Sequence, residues 1–191
     1  MYDGAMNPDA VSPSLAPTLL LSMPQLVDPN FARTVVLLCE HSPEGAFGLV
    51  LNRPSDTTAF EAVRLEPPPA RDSGLCLWVG GPVEPERGWI LLPEAPADLN
   101  AVKLVDGLFI STSPDLLRSL IEEGDPRVRV LTGYAGWGPG QLDGELAASA
   151  WLTADVETDL VFDVPADRMW EAAIRRLGAD PALLQMGQGV H

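Results

Sequence analysis

Apolar and polar positions along the chain change period several times, and each period predicts an element. Residues 34–40 and 46–52 are β-branched or leucine-rich, and His41-Ser42-Pro43-Glu44-Gly45 between them carries turn chemistry. Two such runs around a short turn predict a β-hairpin. Residues 75–79, 89–92, 104–110 (broken at Asp106-Gly107) and 128–131 predict further strands. Ser113 as a hydroxyl cap, Pro114 behind it, Leu116, Leu117, Leu120 and Ile121 on one face and a closing Gly124 predict a helix. Residues 165–177 repeat that pattern, with Met169, Trp170, Ala173, Ile174 and Leu177 on one face and Gly178 after them. Residues 57–63 predict a short helix, and the three prolines Pro67, Pro68 and Pro69 predict a surface loop. Strands alternating with helices predict a single mixed α/β domain.

Between the strand at 128–131 and a helix-like run at 142–150 stands Thr132-Gly133-Tyr134-Ala135-Gly136-Trp137-Gly138-Pro139-Gly140-Gln141. Glycines at this density let the backbone turn sharply or let another chain approach closely, and a loop entering a helix is a frequent site position. Gly138 is the expected N-cap, Pro139 the first helical residue, and Gln141 the side chain reaching back. Leu142, Leu146 and Ala150 would form the buried stripe. No Lys follows the glycines, so the segment is not a phosphate-binding P-loop. A structural turn is favoured over a ligand cradle. Trp137 either plugs the core or walls a cleft, and the plug is favoured because strand and helix both need an anchor there.

Composition narrows function more than it narrows fold. The 191 residues are 46% hydrophobic and 20% charged, which suits one globular domain. Twelve basic residues against 27 acidic ones leave a net charge of −15. That charge repels phosphate backbones, so neither direct nucleic-acid binding nor attachment to an anionic membrane is expected. Residues 1–17, rich in Pro, Ser, Ala and Asp, predict a disordered tail, and residues 188–191 a flexible end around the domain at 18–187. No basic segment precedes the short apolar run at 19–21, so a cytoplasmic protein is expected.

Candidate chemistry is sparse. Cys39-Glu40-His41 pairs a thiol with an imidazole, but on a strand their Cβ atoms lie roughly 7 Å apart, which is long for a nucleophile pair. A core Cys39 beside an exposed strand-end His41 is the favoured reading. Gly80-Gly81-Pro82-Val83 after a strand would expose amides as an anion nest, yet Glu84 and Glu86 oppose one, so a tight turn is favoured. Asp28 and Asn30 predict Asx-turns, with Phe31 as an apolar plug. No catalytic residues, metal ligands or cofactor are assigned. The candidate ligand- or partner-binding residues are His41, Gly80, Gly81, Gly136, Trp137, Gly138 and Gln141.

Six ordered segments carry a family resemblance: Leu21-Ser22-Met23-Pro24; Asp28-Pro29-Asn30-Phe31; Val35 to His41; Gly45-Ala46-Phe47-Gly48-Leu49-Val50-Leu51-Asn52-Arg53-Pro54; Gly80-Gly81-Pro82-Val83 with Arg87-Gly88-Trp89; and the run from Gly133 to Leu142 with Glu145-Leu146 and Trp151. Together they resemble the YqgE/AlgH family. The resemblance implies an α/β fold around a bifurcated, barrel-like mixed sheet with flanking helices. It also implies a bacterial cytosolic protein labelled a transcriptional regulator on genetic grounds, with no agreed biochemical activity. Leu92 stands where the family often has His, and Ser149 where it often has Asn. The expected function is non-catalytic binding or regulation without direct DNA contact, through an unidentified protein or small molecule. The alternative is a small hydrolase using a cleft near Cys39, His41 and the loop from Gly133 to Gln141, or acids such as Glu40 and Glu145. A deep pocket around Cys39, His41 and Trp137 would support the enzyme, and a shallow groove would support partner binding.

Overall fold

The computed structural model describes residues 13–26 and 28–186. The expected tails therefore lie outside the described residues except at 13–17, where the chain runs beside the strand that carries His41. The predicted hairpin is present as β2 (Val35–Ser42) and β3 (Gly45–Val50), closed by Pro43-Glu44 with Ser42 opposite Gly45. Its apolar run does not alternate because both faces are covered. Val35 and Leu37 pack into one buried cluster with α4 (Thr158–Phe162) and α5 (Ala166–Arg176). Val36 and Leu38 pack into another with Trp137, Leu142 and Trp151.

The centre of the sheet is β9 (Arg129–Trp137). On one side β6 (Val83–Leu92) pairs with it antiparallel. On the other side β5 (Cys76–Val79) pairs parallel with residues up to Thr132, and β3 takes over antiparallel from Ala135. The sheet forks there, and glycine makes the fork possible. The Gly80 N–H donates to the Thr132 carbonyl at 2.7 Å, and the Gly80 carbonyl accepts from the Val50 N–H at 2.8 Å. A Cβ on Gly80 would stand 2.5 Å from the Gly133 oxygen, and one on Gly81 would stand 2.1 Å from the Tyr134 carbonyl carbon. No side chain fits between backbones this close.

The strand order is β10-β1-β2-β3-β9-β6-β8-β7, a mixed sheet curled into a half-barrel. Here β1 is Thr18–Ser22, β7 Val102–Val105, β8 Leu108–Ser111 and β10 Trp151–Ala154, while β4 (Pro54–Thr58) pairs with β5 off this path. The break predicted at Asp106-Gly107 is the turn of the β7–β8 hairpin, so one expected strand is two. The helix α2 (Pro114–Glu123) is capped as its residues require: the Ser113 hydroxyl accepts from the Leu116 N–H, and Gly124 closes it at φ 76. Leu117, Leu120 and Ile121 seal a third cluster over β5 and β6, together with Ala59 of the short α1 (Ala59–Ala62). Each such fully buried side chain contributes about 1.5–3 kcal/mol. The chain closes with α3 (Gln141–Ala147) between β9 and β10, and α6 (Pro181–Met186) after α5.

Candidate functional site

The glycine-aromatic segment is mostly strand, not loop. The break expected after Leu131 does not occur, because β3 supplies a partner for the next half of β9, with Phe47 opposite Gly136 and Ala46 opposite Trp137. Burial keeps the period of two: Gly133, Ala135 and Trp137 face inward, and Thr132, Tyr134 and Gly136 face outward. The turn is confined to Gly138-Pro139-Gly140. Gly140, at φ 72, stands at the N-cap expected for Gly138, and the helix begins at Gln141. Gln141 still reaches back, its Oε1 accepting from the Gly138 N–H at 3.0 Å.

Trp137 is 7% exposed and is a core plug. Its ring meets that of Trp151 edge to face, 6.0 Å between centroids. Both indole N–H groups converge on Oε2 of Glu145, at 2.9 Å from Trp137 and 2.8 Å from Trp151. The Gln141 amide donates to the other oxygen of Glu145 at 3.2 Å. A carboxylate accepting three donors is committed to tying α3 onto β9 and β10. Phe31 seats edge-on against Trp151 at 5.8 Å, and the Asn30 N–H closes the expected Asx-turn onto Asp28 at 2.9 Å.

Beside this clamp lies an open-sided groove of about 880 Å³, walled by Cys39, Glu40 and His41 of β2, Phe47 of β3, and Tyr134 and Trp137 of β9. A bulge between Leu38 and Glu40 breaks the simple alternation expected of Cys39-Glu40-His41. The Cys39 thiol donates to the Leu37 carbonyl at 3.5 Å, and burial, with the Glu40 charge second, pushes it up to about 12. A thiol held protonated this far is a poor nucleophile, and Cys39 packs half-buried against the core cluster of Val35 and Leu37. His41 corrects an expectation: its side chain is 8% exposed, not open to solvent, because α3 and residues 13–17 close over it. Its Nδ1 accepts from the Leu15 N–H at 3.1 Å, which leaves Nε2 as the protonated nitrogen donating to Asp143 at 3.0 Å. Both nitrogens are engaged.

An aromatic cluster stands behind Phe47 and Tyr134 of this wall. Phe47 lies 4.7 Å from Trp89 and 5.4 Å from Tyr134, and the Arg87 guanidinium covers Trp89 at 4.6 Å while pairing with Glu84 at 3.3 Å. Glu84 accepting from the Tyr134 hydroxyl, with partial burial second, raises the phenol pKa. None of these residues is among the sequence candidates, although Phe47, Tyr134 and the Arg87-Gly88-Trp89 run all lie in the family-like segments. Three strands bring them together, so spacing could not have paired them. Of the candidates, His41, Gly136 and Trp137 meet at the groove, and Gly138 and Gln141 form the entry to α3. Gly80 and Gly81 are buried at the fork, with Gly80 bonded into the ladder. Among the described residues no group of three or more His, Cys, Asp or Glu is placed to hold a metal ion. Nor is any described helix long and apolar enough to cross a membrane.

A family model described as AlgH-like matches residues 19–182, and the chain belongs to that family. A UPF0301 protein of Myxococcus xanthus is 40% identical over 185 residues, 93% of this chain and 99% of that protein. Another from Anaeromyxobacter dehalogenans (strain 2CP-C) is 43% identical over 186 residues, 92% and 94% of the two chains. The solution structure of the AlgH protein from Pseudomonas aeruginosa matches with a TM-score of 0.72 and 40% identity, covering 91% of this chain and 94% of that one. A crystal structure of a protein from Corynebacterium diphtheriae matches at TM-score 0.67 and 25% identity, covering 90% of each. The mixed half-barrel fold implied by the resemblance is thus the fold of the family.

Proposed function

We propose that the chain is a non-catalytic binding protein whose recognition surface is the groove beside the β2–β3 turn. The observation that carries this reading is that the reactive groups around the groove are spent. The Cys39 thiol is held protonated, both His41 nitrogens are bonded, and Glu145 serves two indoles. The groove lining carries Glu40 and Glu44 and no Lys or Arg, which suits a neutral or cationic protein segment and opposes an anion. Any regulatory role then runs through protein contact and not through DNA, in keeping with the net charge of −15. Two free cysteines accord with a reducing cytoplasm. The reading requires no cofactor.

Thiol labelling separates it from the hydrolase alternative, which draws on Cys39, His41 and Trp137 lining one groove. Iodoacetamide at mildly alkaline pH should leave Cys39 unmodified in the folded protein and modify it after guanidinium unfolding. Hydrolysis of ester and peptide panels should be the same in Cys39→Ala. Rapid native labelling, or hydrolysis abolished by that substitution, would replace binding with catalysis. In a gel-shift assay at physiological salt, duplex DNA should remain free.

A further inference from the structure

The opposite end of the same hairpin carries a second cavity, where the residues before β2 meet those after β3. At about 3.3 Å per residue, the eight residues of β2 separate it from the groove by roughly 20–25 Å. Asn52 builds this end. Its buried side chain accepts from the Val35 N–H at 3.0 Å and donates to the Arg33 carbonyl at 2.9 Å. Arg33 is thereby held at φ 52, a left-handed conformation uncommon outside glycine. Its guanidinium lies 5.0 Å over the Trp170 ring and pairs with Glu171 at 2.6 Å. The Trp170 N–H is satisfied by the Ser22 carbonyl at 2.9 Å. Arg53 reaches back to the carbonyls of Ala32 and Asn52, using two of the five N–H donors of a guanidinium.

Arg33, Asn52, Arg53, Pro54, Asp167 and Trp170 line an open-sided cavity of about 420 Å³, within the range of roughly 300–1,000 Å³ usual for small-molecule sites. Two charges in this wall are unmatched. Arg53 is partly buried and desolvation lowers its pKa, yet among the described residues it forms no ion pair. Asp167, exposed in the first turn of α5, forms none either. Arg33 is already balanced by Glu171, so it shapes the wall without adding net charge.

A cation and an anion set apart on the walls of one small cavity complement a molecule carrying both charges in the opposite sense. We propose that this cavity binds a small zwitterion of the α-amino-acid type, its carboxylate on Arg53 and its ammonium on Asp167. Three N–H donors of the Arg53 guanidinium are left over for a carboxylate, and hydrogen bonds between two charged groups are the strong ones. The side chain of the ligand rests against Pro54 and Trp170. A phosphate dianion meets repulsion from Asp167 and a simple amine meets it from Arg53, so the pair of charges selects against each.

Titration calorimetry on the full chain tests this with free amino acids, their deaminated acids and their decarboxylated amines. At least one amino acid should bind, and both of its analogues should bind at least about tenfold more weakly, the equivalent of about 1.4 kcal/mol. Arg53→Gln should abolish binding. Because Arg53 also ties down the Ala32 carbonyl, Asp167→Asn is the decisive companion: it alters an exposed side chain, and it should weaken the amino acid about tenfold while binding the deaminated acid no more weakly than wild type does. No binding of any amino acid at millimolar concentration overturns the proposal. So does equal affinity for the deaminated acid, or an affinity unchanged by Asp167→Asn. Labelling of Cys39 is unaffected by any of these outcomes, so the two sites stand or fall separately.

Discussion

Trp137→Ala removes the side chain on which β9, α3 and β10 converge. The indole is 7% exposed, so its deletion opens a cavity in place of the ring, which typically costs about 3–5 kcal/mol. The same change takes one of the two indole donors from Oε2 of Glu145 and leaves the Trp151 ring without its edge-to-face neighbour at 6.0 Å. For a chain of this size about 2–4 °C of melting temperature accompanies each kcal/mol, so the midpoint should fall by about 6–20 °C. Trp137→Phe keeps most of the ring and loses the charge-assisted N–H bond, worth about 1.5–3 kcal/mol, and should fall by about 3–12 °C. Circular dichroism melts at neutral pH measure both. A shift under about 2 °C for Trp137→Ala would refute the plug and the clamp together. Equal shifts for the two variants would show that the bond to Glu145 carries all of the effect and the packing none.

Three further substitutions have expected outcomes. Cys39 has a folded-state pKa of about 12 against an ordinary 9.0, so its stabilising contribution is complete below pH 9.0 and is lost as pH rises toward about 12. Wild type should lose stability relative to Cys39→Ala across that interval, by up to about 1.4 kcal/mol per pH unit, and parallel urea-unfolding curves would contradict this. Ser149 sits at φ 58, where Asn or Gly is less strained, so Ser149→Asn or Ser149→Gly should raise stability by about 0.5–1 kcal/mol; a loss in the urea midpoint would count against it. Gly81→Ala drives a Cβ to 2.1 Å from the Tyr134 carbonyl carbon and should cost about 3 kcal/mol or more, an expectation that fails if the variant unfolds within about 1 kcal/mol of wild type.

The site was legible in part, and the division has a physical basis. Trp137 between glycines announced an anchor, and the reach of Gln141 to Gly138 followed from capping chemistry. Cys39 as a packing residue followed from its apolar run. The setting of His41 did not, because what buries it comes from Leu15 and Asp143, which lie 26 and 102 residues away. Phe47, Trp89 and Tyr134 were invisible as a group for the same reason. The strand β1 was overlooked as a bare three-leucine run, β4 is the polar Pro54-Ser55-Asp56-Thr57-Thr58 without apolar alternation, and β10 is only four residues long.

By itself, the sequence determined the elements whose signals act within a few residues. The hairpin of β2 and β3, the capped α2 and the amphipathic α5 belong here, as do the acidic charge and the family-like segments. Caps, turns and periodicity are local, so they are written in adjacent residues. Tertiary structure alone decided that β9 runs on through its glycines to Trp137, that the sheet forks at Gly133, and that Gly80 and Gly81 lie buried against the backbone at the fork. It also decided that Glu145 binds two indoles, and that Arg53 and Asp167 line one cavity from elements more than a hundred residues apart. These outcomes depend on which backbones approach each other and which polar groups lose water, and burial of that kind is a property of the assembled chain.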